Sequence, residues 1–200
     1  MSYTHHERSL VILKPDAIQR GLIGEIITRF EKKGLKLVAM KMLRPTLEQA
    51  KKHYDQPESA MMALGERTLA AYAEKGIEFN KKPMEIALDI QKKLWTYLTA
   101  GPVVVMIIEG AHAIAHIRKI RGGTNPLTAD VGTITADYTI DSYFIADEDE
   151  RAIRNLVHAS GTKEEAGTEI KVWFKENEIC SFDLAIEKIL YSAEWELKKD

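Results

Sequence analysis

Three short apolar runs constrain the fold of this chain more than any other feature of its sequence. They lie at residues 9–13, 103–108 and 156–159. Apolar runs of about four to eight residues are typical of strands that are buried on both faces. The first run stops at Lys14-Pro15, because proline cannot donate to a strand ladder. The runs therefore predict a small, buried sheet.

Segments with a helical spacing of apolar residues separate these runs. Apolar residues between positions 22 and 30 repeat at helical intervals, and Gly34 follows them as a C-terminal stop signal. Capping-box spacing predicts further helix starts at Thr46 with Gln49, at Asp147 with Glu150 and at Thr162 with Glu165. Other patterns predict a half-exposed strand over residues 35–42, helical pieces over 66–74, helices over 85–98 and 111–120, and a loop over 122–135. Strands and helices alternate irregularly, which predicts an α+β or α/β domain.

Length and composition limit the classes of function. The 200 residues suit one domain spanning 1–200, and no repeat or linker divides them. A net charge of −2 gives no cationic field that would attract nucleic acid or an anionic membrane. The longest apolar stretch is too short to cross a bilayer, and the N-terminus lacks a signal-peptide pattern. The single cysteine, Cys180, excludes an intramolecular disulfide and is interpreted as a small buried apolar residue. We therefore expect a cytoplasmic protein that needs neither membrane nor nucleic acid.

Most of the histidines are interpreted as residues without a catalytic or metal-binding role. His112 and His116 are about one helical turn apart and near Glu109, but a third metal ligand is not evident, so no protein metal site is predicted. His5 and His6 fall in a terminus that we expect to be frayed.

His158 is the strongest candidate for chemistry. It lies in a short apolar strand that runs into Gly161, and Glu169 follows on the next predicted helix. A histidine in such a strand is more often a buried structural residue. A carboxylate bound to one ring nitrogen would instead fix the tautomer and leave the other nitrogen free to attack an electrophile. The loop over residues 118–126 adds guanidinium, ammonium, hydroxyl and backbone donors suited to a polyphosphate, in a chain without a P-loop motif.

Several sequence motifs occur in order along nearly the whole chain. They are K-P-D-A-I-Q-R-G from Lys14, H-Y at 53–54, G-P-V-V from Gly101, Arg118 six residues before T-N-P at 124–126, G-T-I at 132–134 and N-L-V-H-A-S at 155–160. Glu169 and W-F at 173–174 follow at a fixed spacing beyond His158. In this order the motifs resemble the nucleoside diphosphate kinase family, from about residue 8 to residue 191.

The resemblance implies an α+β fold with a ferredoxin-like βαββαβ core, a four-stranded antiparallel sheet and helical insertions. The insertions, at about residues 56–85 and 139–151, resemble those of a long-insert branch of the family. The implied reaction moves the γ-phosphate of a nucleoside triphosphate such as ATP to a nucleoside diphosphate, in two half-reactions through a phosphohistidine. Mg²⁺ is implied as a cofactor held through the nucleotide phosphates. Nucleoside tri- and diphosphates are the implied partners, and a homo-oligomer, tetramer or hexamer, is the implied assembly.

Family roles are carried over by position. His158 would become phosphorylated, Glu169 would orient its ring and Ser160 would support both. Lys14 and Tyr54 would stabilise the transferring phosphoryl group. Nucleotide binding would involve Lys14, Arg118, Thr124 and Asn155, with Thr135 and Ile90 at two further family positions.

Two positions depart from the family pattern. Thr135 stands where the family has a phosphate-binding arginine, and Ile90 stands where it has a base-stacking phenylalanine. Either Arg121 or Arg151 would compensate for the missing guanidinium. The alternative is a catalytically weakened nucleotide-binding or regulatory homologue.

Overall fold

A four-stranded antiparallel sheet forms the centre of the computed structural model, which describes residues 5–74, 76, 80–192 and 195. The strands are β1 (His6–Leu13), β2 (Lys36–Leu43), β3 (Val103–Ala111) and β4 (Val157–Ala159). Their order across the sheet is β2-β3-β1-β4. Because β1 is an interior strand, its C-terminal end lies beside β4, which carries His158. This order confirms the predicted α+β, ferredoxin-like core.

Helices surround the sheet and connect its strands. In the described residues they are α1 (Pro15–Gln19), α2 (Ile23–Lys32), α3 (Leu47–His53), α4 (Glu58–Ala73), α5 (Pro83–Thr99), α6 (Ala113–Arg121), α7 (Ile134–Tyr138), α8 (Tyr143–Glu148), α9 (Lys163–Trp173) and α10 (Glu187–Tyr191). Single 3₁₀ turns occur at Pro126–Thr128 and Glu176–Glu178. The capping box predicted at Thr46 and Gln49 forms at the start of α3. No helix among the described residues has the length and apolar character needed to cross a membrane.

Two hydrophobic cores lie on opposite faces of the sheet. On one face Val11 packs in a cluster with Phe30 of α2, and on the other Leu10 packs in a cluster with Trp173 of α9. Both Leu10 and Val11 are 0% exposed, and full burial of such a side chain contributes about 1.5–3 kcal/mol. Burial on both faces explains why β1 and β3 are continuous apolar runs in the sequence. It also makes β1 a rigid support for the residues at its end.

The N-terminal strand is longer than predicted because it pairs with β3 along its whole length. His6 lies opposite Ala111 in this pairing, and His5 stacks on His112 with ring centroids 5.0 Å apart. The expectation of a frayed terminus at these two histidines is wrong. Because β3 continues to Ala111, α6 begins only at Ala113.

Two interpretations from the second half of the sequence are also wrong. Asp147 and Glu150 do not begin a helix, because Ser142 caps α8 and Glu150 follows that helix with a φ of 51°. Cys180 is exposed rather than buried. Its place in the fold comes from its backbone N–H, which donates to the Val38 carbonyl of β2 at 2.8 Å.

The two segments that resemble insertions contain α4 and α8, and they contact each other. The predicted helical pieces at 66–74 form the second half of α4, while residues 75 and 77–79 lie outside the described part of the chain. Burial raises the pKa of Tyr72 on α4 to about 12, and the Asp147 carboxylate of α8 adds to this rise through a hydrogen bond. The two segments therefore meet at the Tyr72–Asp147 contact.

The close contact between α4 and α5 predicts that Gly65→Ala destabilises the fold. A Cβ added at Gly65 would lie 1.9 Å from the Pro83 carbonyl oxygen, so the two helices would have to separate. Overpacking of this kind costs about 1–3 kcal/mol, which should lower Tm in thermal denaturation. Gly24→Ala on α2 is the control, because no atom lies within 4 Å of the added Cβ. Equal Tm values for the two variants would contradict the prediction.

Candidate active site

His158 and Glu169 form the centre of the candidate active site. The short strand β4 carries His158, and α9, capped by Thr162 as predicted, carries Glu169. The His158 Nε2 atom lies 2.7 Å from Glu169 Oε1, and the Ser160 hydroxyl donates to Glu169 Oε2 at 2.6 Å. Glu169 is only 5% exposed, and a buried carboxylate requires such donors. The carboxylate therefore holds the histidine ring in one orientation.

This hydrogen bond decides which ring nitrogen of His158 is available. Because an ionised carboxylate only accepts, Nε2 carries the proton and the lone pair is on Nδ1. The Nδ1 atom makes no hydrogen bond to the described residues. Burial and the charge of Lys14 lower the pKa of His158 to about 3, so the ring is neutral at pH 7. A neutral imidazole with a free lone pair is a competent nucleophile.

Ser160 connects this pair to the central strand. The Leu10 backbone N–H donates to Ser160 Oγ at 3.1 Å, and the Ser160 N–H donates to the Leu10 carbonyl at 3.1 Å. Burial raises the pKa of Glu169, while His53 and Ser160 oppose that rise. Ser160 therefore both stabilises the carboxylate and joins it to β1.

Two residues at the end of α3 pack against the His158 ring. The ring centroids of His53 and Tyr54 lie 4.4 Å and 6.4 Å from that of His158. The Trp173 indole N–H donates to His53 Nδ1 at 3.3 Å. Burial, then His158 and Lys14, lower the pKa of His53 to about 3, although Glu169 acts in the opposite direction. Burial raises the pKa of the Tyr54 hydroxyl. At pH 7 His53 is therefore neutral and Tyr54 retains its proton.

A chain of hydrogen bonds joins Lys14 to the loop after α6. Lys14 Nζ donates to Asn155 Oδ1 at 2.6 Å, and Asn155 Nδ2 donates to the Thr124 carbonyl at 3.0 Å. The Lys14 ammonium also lies 5.1 Å from the centre of the Tyr97 ring. Burial lowers the pKa of Lys14 to about 8, although Asp16 acts in the opposite direction. The ammonium form therefore predominates at pH 7.

Two arginines add to the positive charge around His158. Arg121 and Arg118 both lower the pKa of His158, after the larger effects of burial and Lys14. Arg118 Nη1 lies so close to the backbone that a Cβ at Gly161 would be 3.1 Å from it. The opposing negative charge comes from Glu165, which raises the pKa of His158. An arrangement of three cations beside a neutral nucleophile is suited to a polyanionic substrate.

The structure distinguishes the two arginines that could replace the missing family arginine. Thr135 on α7 is 0% exposed, and its hydroxyl donates to the Arg121 carbonyl at 2.8 Å. The guanidinium of Arg151 instead donates to both oxygens of Asp141, at 2.6 Å and 2.9 Å. Arg121 is therefore the candidate that acts on His158, whereas Arg151 is committed to an acidic partner.

Ile90 lies half-buried on α5. The side-chain amide of its neighbour Gln91 donates to the Tyr54 carbonyl at 2.9 Å. This bond joins α5 to the end of α3 near the site, and a base contact at Ile90 stays a prediction.

One group of three side chains in the described part of the chain has metal-ligand spacing. It consists of His53, His158 and Glu169, whose ligand atoms lie within 4.8 Å of one another. Mg²⁺ prefers oxygen ligands in octahedral geometry, whereas two of these three donors are imidazole nitrogens. The surrounding cations also oppose the binding of another cation. The donor set therefore does not fit a protein-bound Mg²⁺.

Glu109, which is near His112 and His116 in the sequence, has cationic partners. The Glu109 carboxylate is paired with Arg8 at 2.8 Å and with Lys36 at 3.1 Å.

Sequence reasoning missed two polar residues of the site, Asp16 and Tyr97. The Asp16 carboxylate accepts the Leu156 N–H at 3.2 Å, immediately before β4. Its place in the same motif as Lys14 was an available signal. Tyr97 lies within the amphipathic pattern of α5, and nothing in that pattern distinguishes it from a core residue.

Comparison with known proteins identifies the family of this chain. The family described as nucleoside diphosphate kinase matches residues 7–65 and 85–179, which is more than half of the 200 residues. The chain belongs to the nucleoside diphosphate kinase family. The finding confirms the family indicated by the ordered motifs, and with it the assignment of the chain as a phosphotransferase enzyme.

Individual relatives are similar over most of their length. A nucleoside diphosphate kinase of Pyrobaculum aerophilum is 46% identical over 86% of this chain and 97% of the relative. One from Pyrococcus abyssi is 42% identical over 92% of this chain and 94% of the relative. The crystal structure of an NDP kinase from Pyrobaculum aerophilum has a TM-score of 0.85 at 43% identity, over 88% of this chain and 100% of that one. A transition-state mimic of nucleoside-diphosphate kinase from Borrelia burgdorferi, with bound vanadate and ADP, has a TM-score of 0.77 at 32% identity, over 96% of this chain and 100% of that one.

The environment of Lys14 predicts a loss of activity at high pH. If Lys14 binds phosphate in its ammonium form, kcat/KM should be level below pH 8 and fall above it, following the Lys14 pKa of about 8. The fall should approach about tenfold per pH unit for a single essential proton. Lys14→Arg, whose guanidinium stays charged, should lack this decline even if its rate is lower. A decline that persists near pH 8 in Lys14→Arg would assign it to another group.

Proposed function

We propose that this protein transfers the γ-phosphoryl group of a nucleoside triphosphate, such as ATP, to a nucleoside diphosphate through His158. The observation that carries the proposal is the 2.7 Å contact between His158 Nε2 and Glu169, which leaves Nδ1 as the open nitrogen. In the first half-reaction Nδ1 attacks the γ-phosphorus, an N–P bond forms, and the bond from phosphorus to the bridging oxygen breaks. The diphosphate then leaves. A terminal oxygen of a second diphosphate takes the phosphoryl group as the N–P bond breaks.

The charges around His158 support this chemistry. Lys14, Arg118 and Arg121 are proposed to meet the charge on the transferring group, because phosphoryl transfer is catalysed mainly by positioning and electrostatics. The further proposed contacts are the Tyr54 hydroxyl with the phosphoryl group, Asn155 with the sugar 3′-hydroxyl, Thr124 with phosphate, Ile90 with the base, and Thr135 through Arg121.

Mg²⁺ is proposed to enter with the nucleotide rather than as a resident ion. Nucleotide phosphates supply the oxygen ligands that this cation prefers, and the candidate protein donors are mainly nitrogen. Mg²⁺ bound to the phosphates would neutralise part of the charge that Lys14 and the two arginines face.

The alternative is a regulatory homologue that binds nucleotide but transfers phosphate poorly. Its motivation is the missing arginine at Thr135. The intact contacts of Glu169 with His158 and Ser160 favour the active enzyme, because a nucleotide-binding protein alone has no need for an oriented nucleophile.

Substitution of His158 tests the phosphohistidine directly. With γ-labelled ATP, the wild type should form an acid-labile phosphoenzyme and then pass the label to a different nucleoside diphosphate. His158→Ala should abolish both steps while retaining nucleotide binding, because it removes the carrier and few other contacts. His116→Ala, a histidine of α6 outside the site, is the matched control. Binding without label transfer by the wild type would instead indicate the regulatory homologue.

Arg121 is proposed to supply the guanidinium that Thr135 cannot. Arg121→Ala should lower kcat/KM by roughly ten- to a hundredfold, the equivalent of about 1.5–3 kcal/mol for a contact with a charged group. Arg151→Ala should leave kcat/KM near the wild-type value, because Arg151 is held by Asp141. Thr135→Arg should give no gain, since position 135 is fully buried. A large loss in Arg151→Ala without one in Arg121→Ala would reverse the assignment.

The proposal also covers the assembly, the domain organisation and the location of the protein. Met40 and Met42 on the edge strand β2 are 54% and 58% exposed, and Ile140 is 99% exposed. Exposed apolar side chains of this kind support a homo-oligomer, tetramer or hexamer. We also propose a single domain over 1–200, with insertions at about 56–85 and 139–151, and a cytoplasmic location.

A further inference from the structure

Leu156 adopts a backbone conformation that is rare for a residue other than glycine. Its φ is 65°, and across it the Val157 N–H donates to the Asn155 carbonyl at 2.7 Å. This is a γ-turn with a positive φ at its centre, which is a strained arrangement. The turn lies between Asn155, which binds Lys14, and β4, which carries His158. Its shape therefore sets the spacing between the Lys14 ammonium and the His158 ring.

The start of α1 holds both peptide groups of Leu156. The Lys14 N–H donates to the Leu156 carbonyl at 2.8 Å, and the Leu156 N–H donates to Asp16 Oδ2 at 3.2 Å. The Leu156 side chain is 0% exposed in the core. A strained turn persists only where its surroundings determine it. Of the two groups that bind the Leu156 peptides, the Asp16 carboxylate is the one that a substitution can remove.

Asp16 is also the anion that acts on Lys14. It raises the pKa of Lys14, against the effects of burial and of Arg121. The other titratable groups that face Lys14 are Tyr97 on α5, His53 on α3 and His158 on β4. The two histidines are neutral at pH 7 because burial lowers their pKa values to about 3. Burial raises the pKa of Tyr97, which keeps its proton. The negative charge next to Lys14 therefore comes from Asp16.

We propose that Asp16 is a positioning residue with two separable effects. Its Oδ2 atom holds the Leu156 turn, and its charge keeps Lys14 in the ammonium form that binds phosphate. It acts through Leu156 and Lys14 rather than on the phosphoryl group. The inference rests on the proposed transfer through His158, since it concerns how Lys14 and His158 are placed for that reaction.

Two substitutions at Asp16 separate these effects. Asp16→Asn removes the charge but keeps a carbonyl oxygen that can accept the Leu156 N–H. Asp16→Ala removes both the charge and the acceptor. Asp183→Asn, a change at an exposed carboxylate, is the control. The measurement is kcat/KM for ATP as a function of pH, with Tm recorded for each variant to establish that it is folded.

Both Asp16 variants should lose activity at a lower pH than the wild type. The shift should be about 1 pH unit or more, the size of effect expected when an opposite charge within about 4–6 Å is removed. At low pH, where Lys14 is protonated in every variant, Asp16→Asn should approach the wild-type rate. Asp16→Ala should stay at least about tenfold lower there, because small misplacements of reacting groups cost about that much or more.

The outcomes distinguish this inference from the function on which it rests. If the wild type forms no phosphoenzyme on His158, the proposed function fails. If the phosphoenzyme forms but Asp16→Asn shows no acid shift, the charge effect is wrong. If Asp16→Ala and Asp16→Asn reach the same low-pH rate, the turn does not depend on Oδ2. A lower Tm without either kinetic change would mean that Asp16 is only a structural residue.

Discussion

An ionised carboxylate away from water is costly unless donors surround it, and Glu169 is such a group. Its two oxygens are met by the His158 ring and the Ser160 hydroxyl. The requirement to satisfy this one buried charge fixes the tautomer of His158. It also joins α9 to the end of β4 and, through Ser160, to β1. The orientation of the nucleophile is therefore a consequence of how the fold stabilises a buried charge.

Positive charge is in excess among the charged groups that act on His158 in the free protein. Lys14, Arg121 and Arg118 each lower the pKa of the His158 ring, and Glu165 raises it. Cations held close together repel one another in the free protein, and a bound polyphosphate relieves that repulsion. Burial, together with these charges, keeps the imidazole neutral, which the proposed nucleophilic attack requires. The charges that favour a polyanionic substrate therefore also contribute to the neutral state of His158.

The proposed replacement of the family arginine by Arg121 would explain how one site tolerates a changed motif. From the motif alone, the absence of an arginine at position 135 would predict weakened phosphate binding. In the folded chain, the Thr135 hydroxyl binds the carbonyl of Arg121, so the two positions are adjacent. The positive charge around His158 can come from more than one sequence position, because electrostatic interactions depend on distance in space.

Local sequence patterns were enough to predict the central strands and several helix starts of this protein. The apolar runs at 9–13 and 103–108 gave the central strands, because burial on both faces leaves no alternation. The helix caps at Thr46 and Thr162 could also be predicted from the sequence, since capping depends on residues within one helical turn. The ordered motifs were enough to indicate the family and to name His158 with Glu169. The errors at His6 and Cys180 arose where pairing with a distant strand, rather than local composition, sets the structure.

Only the tertiary structure decided how these parts act together. It brought Asp16 to Leu156 across 140 residues of chain, and it put Arg121 rather than Arg151 beside the nucleophile. The positive φ of Leu156 has no local signal, because a leucine adopts it only when contacts from elsewhere in the chain impose it. The sequence predicted most of the elements and the candidate reacting groups, since these follow from local patterns and from the order of the motifs. The structure decided distance, burial and charge, since these depend on residues that are neighbours only after folding.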